Sequence, residues 1–181
     1  MFARTPRLTL RPGWPEDAPA VTAALAHEQI VVNLSRVPWP YGEDDARDWL
    51  ATPRTATDIC LLILRHDAPA PHLIGAISLD DSADGEPELG YWLTPSAWGR
   101  GYATEAGHAV LHMARHARGL TQVRARHFID NPASARVLGK LGFRETGRVA
   151  TFSRARGREV ASVTMARDLE DAPPHDIPLA A

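Results

Sequence analysis

Trp98-Gly99-Arg100-Gly101-Tyr102-Ala103-Thr104-Glu105-Ala106 is the stretch from which the rest of the chain can be read. It follows a strand-like run, Glu88 to Leu93, and a short turn containing Pro95; it leads into a helix-like run that ends near Arg118. Two glycines one residue apart let the backbone turn tightly and come close to a ligand, and small residues follow at Ala103, Ala106 and Gly107. The first N–H groups of a helix have no partner within it. They point outward with the positive end of the helix dipole behind them, a setting that favours phosphate. The stretch therefore reads as a pyrophosphate cradle, with an ordinary capped turn as the plainer alternative. It lacks the Gly-Lys-Ser/Thr ending of a nucleoside-triphosphate loop. Thr104 stands where a dinucleotide fingerprint needs its third glycine, which argues against a nucleotide-binding oxidoreductase.

Upstream of the cradle, Arg7 to Arg11 alternates as a strand does, and Pro12-Gly13 ends it. Pro15-Glu16-Asp17 predicts a helix through about Glu28, with acids in its first turn. Asn33 to Tyr41 reads as a loop, and Glu43 to Leu50 as a short helix stopped at Thr52-Pro53. Asp58 to Leu64 is a continuous apolar run, as expected of a strand buried on both faces. His72 to Leu79 follows, then an Asp- and Gly-rich turn over Asp80 to Gly85, so these strands and Glu88 to Leu93 form an antiparallel meander. Downstream, Gln122 to Arg126 is a further strand, and strand, helix and strand make a right-handed crossover between parallel neighbours. Asn131-Pro132 opens another helix, with Asn131 as cap, and Gly142 ends it. Phe143 to Val149 and Glu159 to Met165 close the fold around a basic loop, Arg154 to Arg158. Residues 1–170 read as one domain and 171–181, with Pro173-Pro174, as a frayed tail.

A length of 181 residues suits one domain with a substantial core. A formal charge of −2 leaves no electrostatic footprint for nucleic acid. Cys60 is the single cysteine, which excludes an intrachain disulfide and fits a reducing compartment. Met1-Phe2-Ala3-Arg4 opens no apolar signal-peptide core and no apolar run approaches membrane-spanning length, so a cytoplasmic protein is expected.

A second motif, Asn131-Pro132-Ala133-Ser134, precedes Leu141-Gly142-Phe143. At helical spacing Ser134, Val137, Leu138 and Leu141 share one face, which turns Ser134 inward. Such a serine is ordinarily satisfied by the preceding turn of its own helix. Glu88-Leu89-Gly90-Tyr91-Trp92-Leu93, the cradle, this motif and Leu141 to Gly147, in that order and spacing, resemble the GNAT acyl-CoA-dependent N-acetyltransferases. Within them the branch of ribosomal-protein-alanine N-acetyltransferases looks most similar, and Leu8 to Pro12 and Val37 to Tyr41 resemble it as well. The resemblance runs to about Asp168; it is specific for the superfamily and much less so for the substrate.

The resemblance implies an α/β (α+β) fold: a mixed central sheet of about seven strands with a splayed parallel pair, flanked by about four helices. It implies acetyl-CoA as co-substrate; no metal is expected. Backbone amides of Gly99, Arg100, Gly101, Tyr102, Ala103 and Thr104 would hold the pyrophosphate. Trp98 replaces the family's usual polar residue and is given no phosphate role; Arg100 adds charge or is simply solvated. Trp92, Leu93 and Thr94 would pair with the pantetheine arm like an added strand, and Asn131 would contact that arm. An amine would attack the thioester directly. Glu88 is the candidate to take its proton, and a solvent-facing strand carboxylate is the plain reading of the same residue. A backbone N–H near Leu93 would hold the oxyanion, and Ser134 would protonate the departing thiolate. Two family positions differ here: Leu138 stands where many members carry a tyrosine, and Ser153 lies near the place of a glutamate in the closing strands of the alanine-acetylating branch.

Trp39 and Tyr41 are candidates for an aromatic lip over the acceptor, and Glu43, Asp44 and Asp45 would attract a cationic amine or, more plainly, form a solvated helix face. Trp14, Trp49, Trp92 and Cys60 read as packing residues. His108, His112 and His116 recur every four residues, a spacing that suits a metal. Ala103, Ala106, Val110, Ala114 and Ala117 lie opposite them, so the histidines read as an exposed polar face. Arg154, Arg156 and Arg158 read as a solvated hairpin tip. The expected acceptor is a protein N-terminal amine. A polyamine, amino acid or antibiotic amine, or a non-catalytic acyl-CoA-binding regulator, are the alternatives. Edge strands leave a homodimer open.

Overall fold

The apolar run at the centre of the chain shows how the layers are arranged. In β3 (Ile59–Arg65), Ile59, Leu61 and Ile63 enter one buried cluster, while Leu62 and Leu64 enter another. Successive strand residues point to opposite faces, so this strand is covered on both sides, as its sequence predicts. The computed structural model describes residues 1–54, 58–66, 71–81 and 85–170. The expected tail at 171–181 and the middle of the expected turn at 80–85 lie outside them.

The described strands are β1 (Ala3–Arg4), β2 (Leu8–Arg11), β3, β4 (His72–Asp81), β5 (Pro87–Leu93), β6 (Gln122–Phe128), β7 (Arg144–Ser153) and β8 (Arg158–Asp168). They form one sheet in the order β1-β2-β3-β4-β5-β6-β8-β7. β5 and β6 are parallel, and the other neighbours run antiparallel. The helices are α1 (Ala18–Leu25), α2 (Glu28–Val31), α3 (Glu43–Ala51), α4 (Tyr102–Arg118) and α5 (Pro132–Lys140). Buried residues of α1, α2 and α3 cover one face, where Leu62, Leu64 and Ala76 point. Those of α4 and α5 cover the other, against Leu8, Leu10, Leu61, Ile63, Ile77 and Leu89. None of the described helices is long and apolar enough to cross a membrane.

Several expectations change. The helix expected from Pro15 to Glu28 divides into a 3-10 turn at Pro15–Asp17, α1 and α2. His27, extended at φ −126° and ψ 107°, redirects the chain so that Ile30 and Val31 enter the second cluster. β1 adds a short edge strand by pairing Ala3 with Leu10. β7 and β8 run longer than expected because they pair from Arg144–Ala166 to Ser153–Arg158. Their connecting turn is anchored rather than solvated. Arg156 donates to Asp130 at 2.6 Å and to the Val32 carbonyl at 2.7 Å, and its guanidinium lies 4.9 Å from the centre of the Phe128 ring. On α4 the buried stripe is Ala103, Ala106, Val110 and Ala114, and Ala117 is exposed.

Two outcomes follow from this packing. Helix α4 approaches α5 closely at Gly107, where an added Cβ would stand 2.5 Å from a methyl of the buried Leu141. Gly107→Val is expected to destabilise the protein by about 1–3 kcal/mol through overpacking, measured by urea unfolding; an unchanged midpoint would contradict the packing. Burial pushes the Cys60 thiol up to about 11, the largest influence on it. The thiolate is the reactive form, so alkylation by iodoacetamide should be slow near neutrality and keep rising toward that pH. A rate that levels off by about pH 9 would contradict it.

Candidate active site

β5 and β6 pair only at Glu88–Arg124 and Leu89–Ala125. On its other side β5 remains paired with β4 as far as Leu93–Gly75, and beyond that the Thr94 N–H donates to the Ile74 carbonyl at 2.8 Å. Bonded and non-bonded pairs alternate along an antiparallel ladder. The main-chain groups of Trp92 and the Thr94 N–H therefore turn toward β4, while the Thr94 carbonyl accepts the Ala97 N–H at 2.9 Å, and Leu89, Tyr91 and Leu93 turn theirs toward β6. Leu89 meets that strand; Tyr91 and Leu93 face the region where it has diverged. The Leu93 carbonyl accepts the Trp98 indole N–H at 2.8 Å, which gives Trp98 a role that sequence reading did not. Of the three residues expected to pair with a cofactor arm, Leu93 turns its main-chain groups toward the diverged strand, as Tyr91 does. Trp92 and Thr94 are engaged with β4.

At the end of β5 the chain makes a 3-10 turn, Pro95–Ala97, and enters the glycine loop. Gly99 has φ 73° and Gly101 φ 81°, values at which a side chain is strained and glycine is not. Gly101 is the N-cap of α4, and its carbonyl accepts the Glu105 N–H at 3.0 Å. The N–H groups of Tyr102, Ala103 and Thr104 form the first turn and have no acceptor within the helix. Tyr102 and Ala103 are buried and seat this helix end in the core.

The loop is held from a distance. Glu105 accepts from the Thr5 hydroxyl at 2.6 Å, from the Arg7 N–H at 3.0 Å and from Arg7 Nε at 2.7 Å. Arg7 Nη1 in turn donates to the Arg100 carbonyl at 2.9 Å, and its guanidinium lies 4.6 Å from the centre of the Tyr102 ring. An Arg7–Glu105 ion pair, 2.6 Å at its closer approach, thus braces the loop from the beginning of the chain. No local pattern around Arg7 announces this, because the fold alone brings the two segments together.

Across the diverging strands stands α5. Asn131 caps it, its side-chain oxygen accepting the Ser134 N–H at 3.1 Å. The Ser134 hydroxyl does not bond back to its own helix, as an inward-turned serine ordinarily would; it lies 2.8 Å from the Tyr91 hydroxyl. Burial pushes the Tyr91 phenol up to about 12, partly opposed by the bond to Ser134. Tyr91 went unremarked in the sequence, although alternation along Glu88 to Leu93 places it on the face of the buried Leu89.

Glu88 alternates with Leu89 and so lies on the opposite face of the sheet, toward α1 to α3. One of its carboxylate oxygens is 2.6 Å from Arg126 Nη2. Trp39 is exposed, and Tyr41 is half-buried against the second cluster. Burial, and then the neighbouring Asp45, push the Tyr41 phenol up to about 12. Glu43 and Asp44 pair with Arg47, and Asp45 accepts the Gly42 N–H, so these acids serve their own helix. Ser153 is fully buried, its hydroxyl accepting the Arg156 N–H at 3.3 Å. The His112 and His116 rings are 4.3 Å apart, and burial, then His116 and Arg115, lower the His112 pKa. Among the described residues, no group of three or more His, Cys, Asp or Glu side chains is placed to hold a metal ion. A groove lined by Glu86, Thr121 and Arg124 lies at the closed end of the β5–β6 pair, away from the glycine loop.

Residues 7–144 match the acetyltransferase (GNAT) domain family. The chain is 25% identical over 162 residues to the uncharacterized N-acetyltransferase p20 of Bacillus licheniformis, across 85% of this chain and 88% of that protein. In three dimensions it is similar to a GNAT-family acetyltransferase of Bacillus anthracis, with a TM-score of 0.80 and 22% identity over 94% of this chain and 100% of that one. It is also similar to the ribosomal-protein-S5-alanine acetyltransferase of Vibrio fischeri, with a TM-score of 0.78 and 16% identity over 96% and 100%. At such identities the structural likeness speaks for the fold. The family match, which runs from Arg7 through the glycine loop and α5 into β7, speaks for the kind of enzyme: the chain belongs to the GNAT acetyltransferases.

Proposed function

We propose that the protein binds acetyl-CoA along the gap between β5 and β6 and transfers the acetyl group to a primary amine by direct attack within a ternary complex. The observation that carries this reading is the row of main-chain groups at Tyr91 and Leu93, turned toward a strand that has diverged, in line with a glycine loop whose helix-start amides favour phosphate. The pyrophosphate rests on amides from Gly99 to Thr104, with Arg100 supplying positive charge nearby, while Arg7, ion-paired with Glu105, holds the loop in place. The pantetheine arm takes the place of a strand beside Leu93, and the side-chain NH2 of Asn131 is the donor left over from its capping role.

The chemistry then divides between the two faces of the sheet. The acceptor enters from the side of α1 to α3, where Trp39 and Tyr41 border the approach. An alkylammonium has a pKa of about 10.4 in its ordinary state, so it must shed a proton before it can attack. Glu88 lies on that face and takes the proton directly or through water, using an oxygen not engaged by Arg126. The nitrogen lone pair adds to the thioester carbonyl, the Leu93 N–H donates to the oxygen as it becomes an oxyanion, and the nitrogen releases its second proton to water as the amide forms. The C–S bond breaks with its electron pair remaining on sulfur. Ser134, on the α5 side, donates to that sulfur; because a thiol has a pKa of about 8.5, the donor assists departure without being indispensable. The acceptor class favoured by the resemblance to alanine-acetylating enzymes is a protein N-terminal amine.

Release of free CoA from acetyl-CoA, with alanine-initiated peptides, spermidine, free amino acids and an aminoglycoside as acceptors, tests this reading. Turnover confined to the peptides is the expected result. Tight CoA binding with no turnover on any amine would contradict the proposed transfer. Gly101→Val places a β-branched residue at a φ of 81° and a side chain where the pyrophosphate must lie. Calorimetric titration should show CoA affinity falling on the order of tenfold or more, ~1.4 kcal/mol, and unchanged affinity would count against the cradle.

A further inference from the structure

We infer that Tyr91 is the positioning residue of the leaving-group side, its phenol aiming the Ser134 hydroxyl at the thioester sulfur; the inference rests on the acetyl-transfer reading above. Ser134 is the third residue of α5 counted from its cap Asn131, and Asn131 is occupied with the Ser134 N–H rather than its hydroxyl. The carbonyls three and four residues back, of Asn131 and Asp130, are the usual acceptors of a helical serine, and the Ser134 hydroxyl is bonded to Tyr91 rather than to either. Nothing within α5 then selects a direction for the hydroxyl.

The partner comes from β5. The Tyr91 oxygen is 2.8 Å from Ser134 Oγ and 3.4 Å from the Ser134 carbonyl oxygen. A phenol has one proton to give. Either oxygen can donate across the 2.8 Å contact; with Tyr91 as the donor, the serine's own O–H points elsewhere, toward the strand gap that would hold the thioester. A hydroxyl that accepts one hydrogen bond donates a stronger one. The ring packs against the main core, so the phenol oxygen is fixed by a side chain with little freedom of its own. Its burial keeps the phenol protonated across the physiological range, a conclusion supported by its upward shift to about 12.

The proton count stays simple. As the C–S bond breaks, the electron pair remains on sulfur. The proton that neutralises it passes from Ser134, and water restores that proton to the serine. Tyr91 keeps its own throughout, so it acts through Ser134 and takes no part as acid or base.

Tyr91→Phe, Ser134→Ala and the double variant distinguish this role from simple packing, assayed with acetyl-CoA and the best acceptor of the amine panel. Tyr91→Phe keeps the ring and should lower kcat about 2- to 10-fold, the range of one hydrogen bond, with the dissociation constant for CoA within about twofold of wild type. The loss should be the same at every pH of the profile, since the phenol does not titrate there. In the Ser134→Ala background the same change should have no effect on kcat, the non-additivity expected of residues acting as a unit. Tyr91→Met fills the space without a donor, provides a second arm should the first variant fold poorly, and should show the same dependence on Ser134. An unchanged kcat in Tyr91→Phe, or an equal loss with and without Ser134, would overturn the inference while leaving acetyl transfer intact. A wild-type protein that neither binds CoA nor releases it from acetyl-CoA would remove the transfer reading, and this inference with it.

Discussion

The separation of β5 from β6 after two residue pairs is the constraint around which the molecule is arranged. Buried backbone N–H and C=O groups need partners, and a parallel pair that stops early leaves a row of them facing a gap. The protein satisfies part of that row itself: the Trp98 indole covers the Leu93 carbonyl. An extended cofactor arm is suited to the remainder because it carries amide groups along its length, as a strand does. In the proposed reading the gap receives that arm in place of a protein strand.

Such a gap needs a firm frame. On one side β5 is locked to β4 through Leu93 and Thr94; on the other, β6 is locked to β8 along its whole length. At the open end the glycine loop is tied to the first strands by Glu105, Thr5 and Arg7. The Arg156 contacts with Asp130 and Val32 tie the last hairpin to both the approach to α5 and the segment after α2. Strand alternation places Glu88 on the face of α1 to α3, whereas Tyr91 and Ser134 stand on the face of α4 and α5. In the proposed transfer, removal of a proton from the amine and departure of the thiolate would therefore fall on opposite sides of one thioester.

The sequence made the sheet legible wherever local pattern and tertiary environment agreed. The unbroken apolar run of β3 signalled two covered faces, and the paired glycines signalled a tight turn into a helix start. Pattern failed where distant segments decide. His27 breaks a helix because Ile30 and Val31 find a second core, which no window around Pro15 reveals. Arg156 looked like part of a solvated tip, and only the fold brings Asp130 and Phe128 to it. The inward turn of Ser134 was legible from helical spacing, whereas its partner Tyr91 was not: hydroxyl pairing across two elements leaves no periodic trace. Arg7 was hidden for the same reason. The direction of the Trp92 and Thr94 backbone depends on ladder phase, and phase is set by the register with β4 rather than by residue type.

The central claim is that the diverging strands and the glycine loop together receive one extended thioester cofactor. Backbone amide NMR during a titration with CoA tests it most directly, because it reads the very N–H groups invoked. The account predicts that the largest shifts fall on Leu93 and on Gly99 through Thr104, saturating together. Shifts gathered instead around Glu86, Thr121 and Arg124 at the closed end of the pair, with the amides of Leu93 and the loop unmoved, would contradict it.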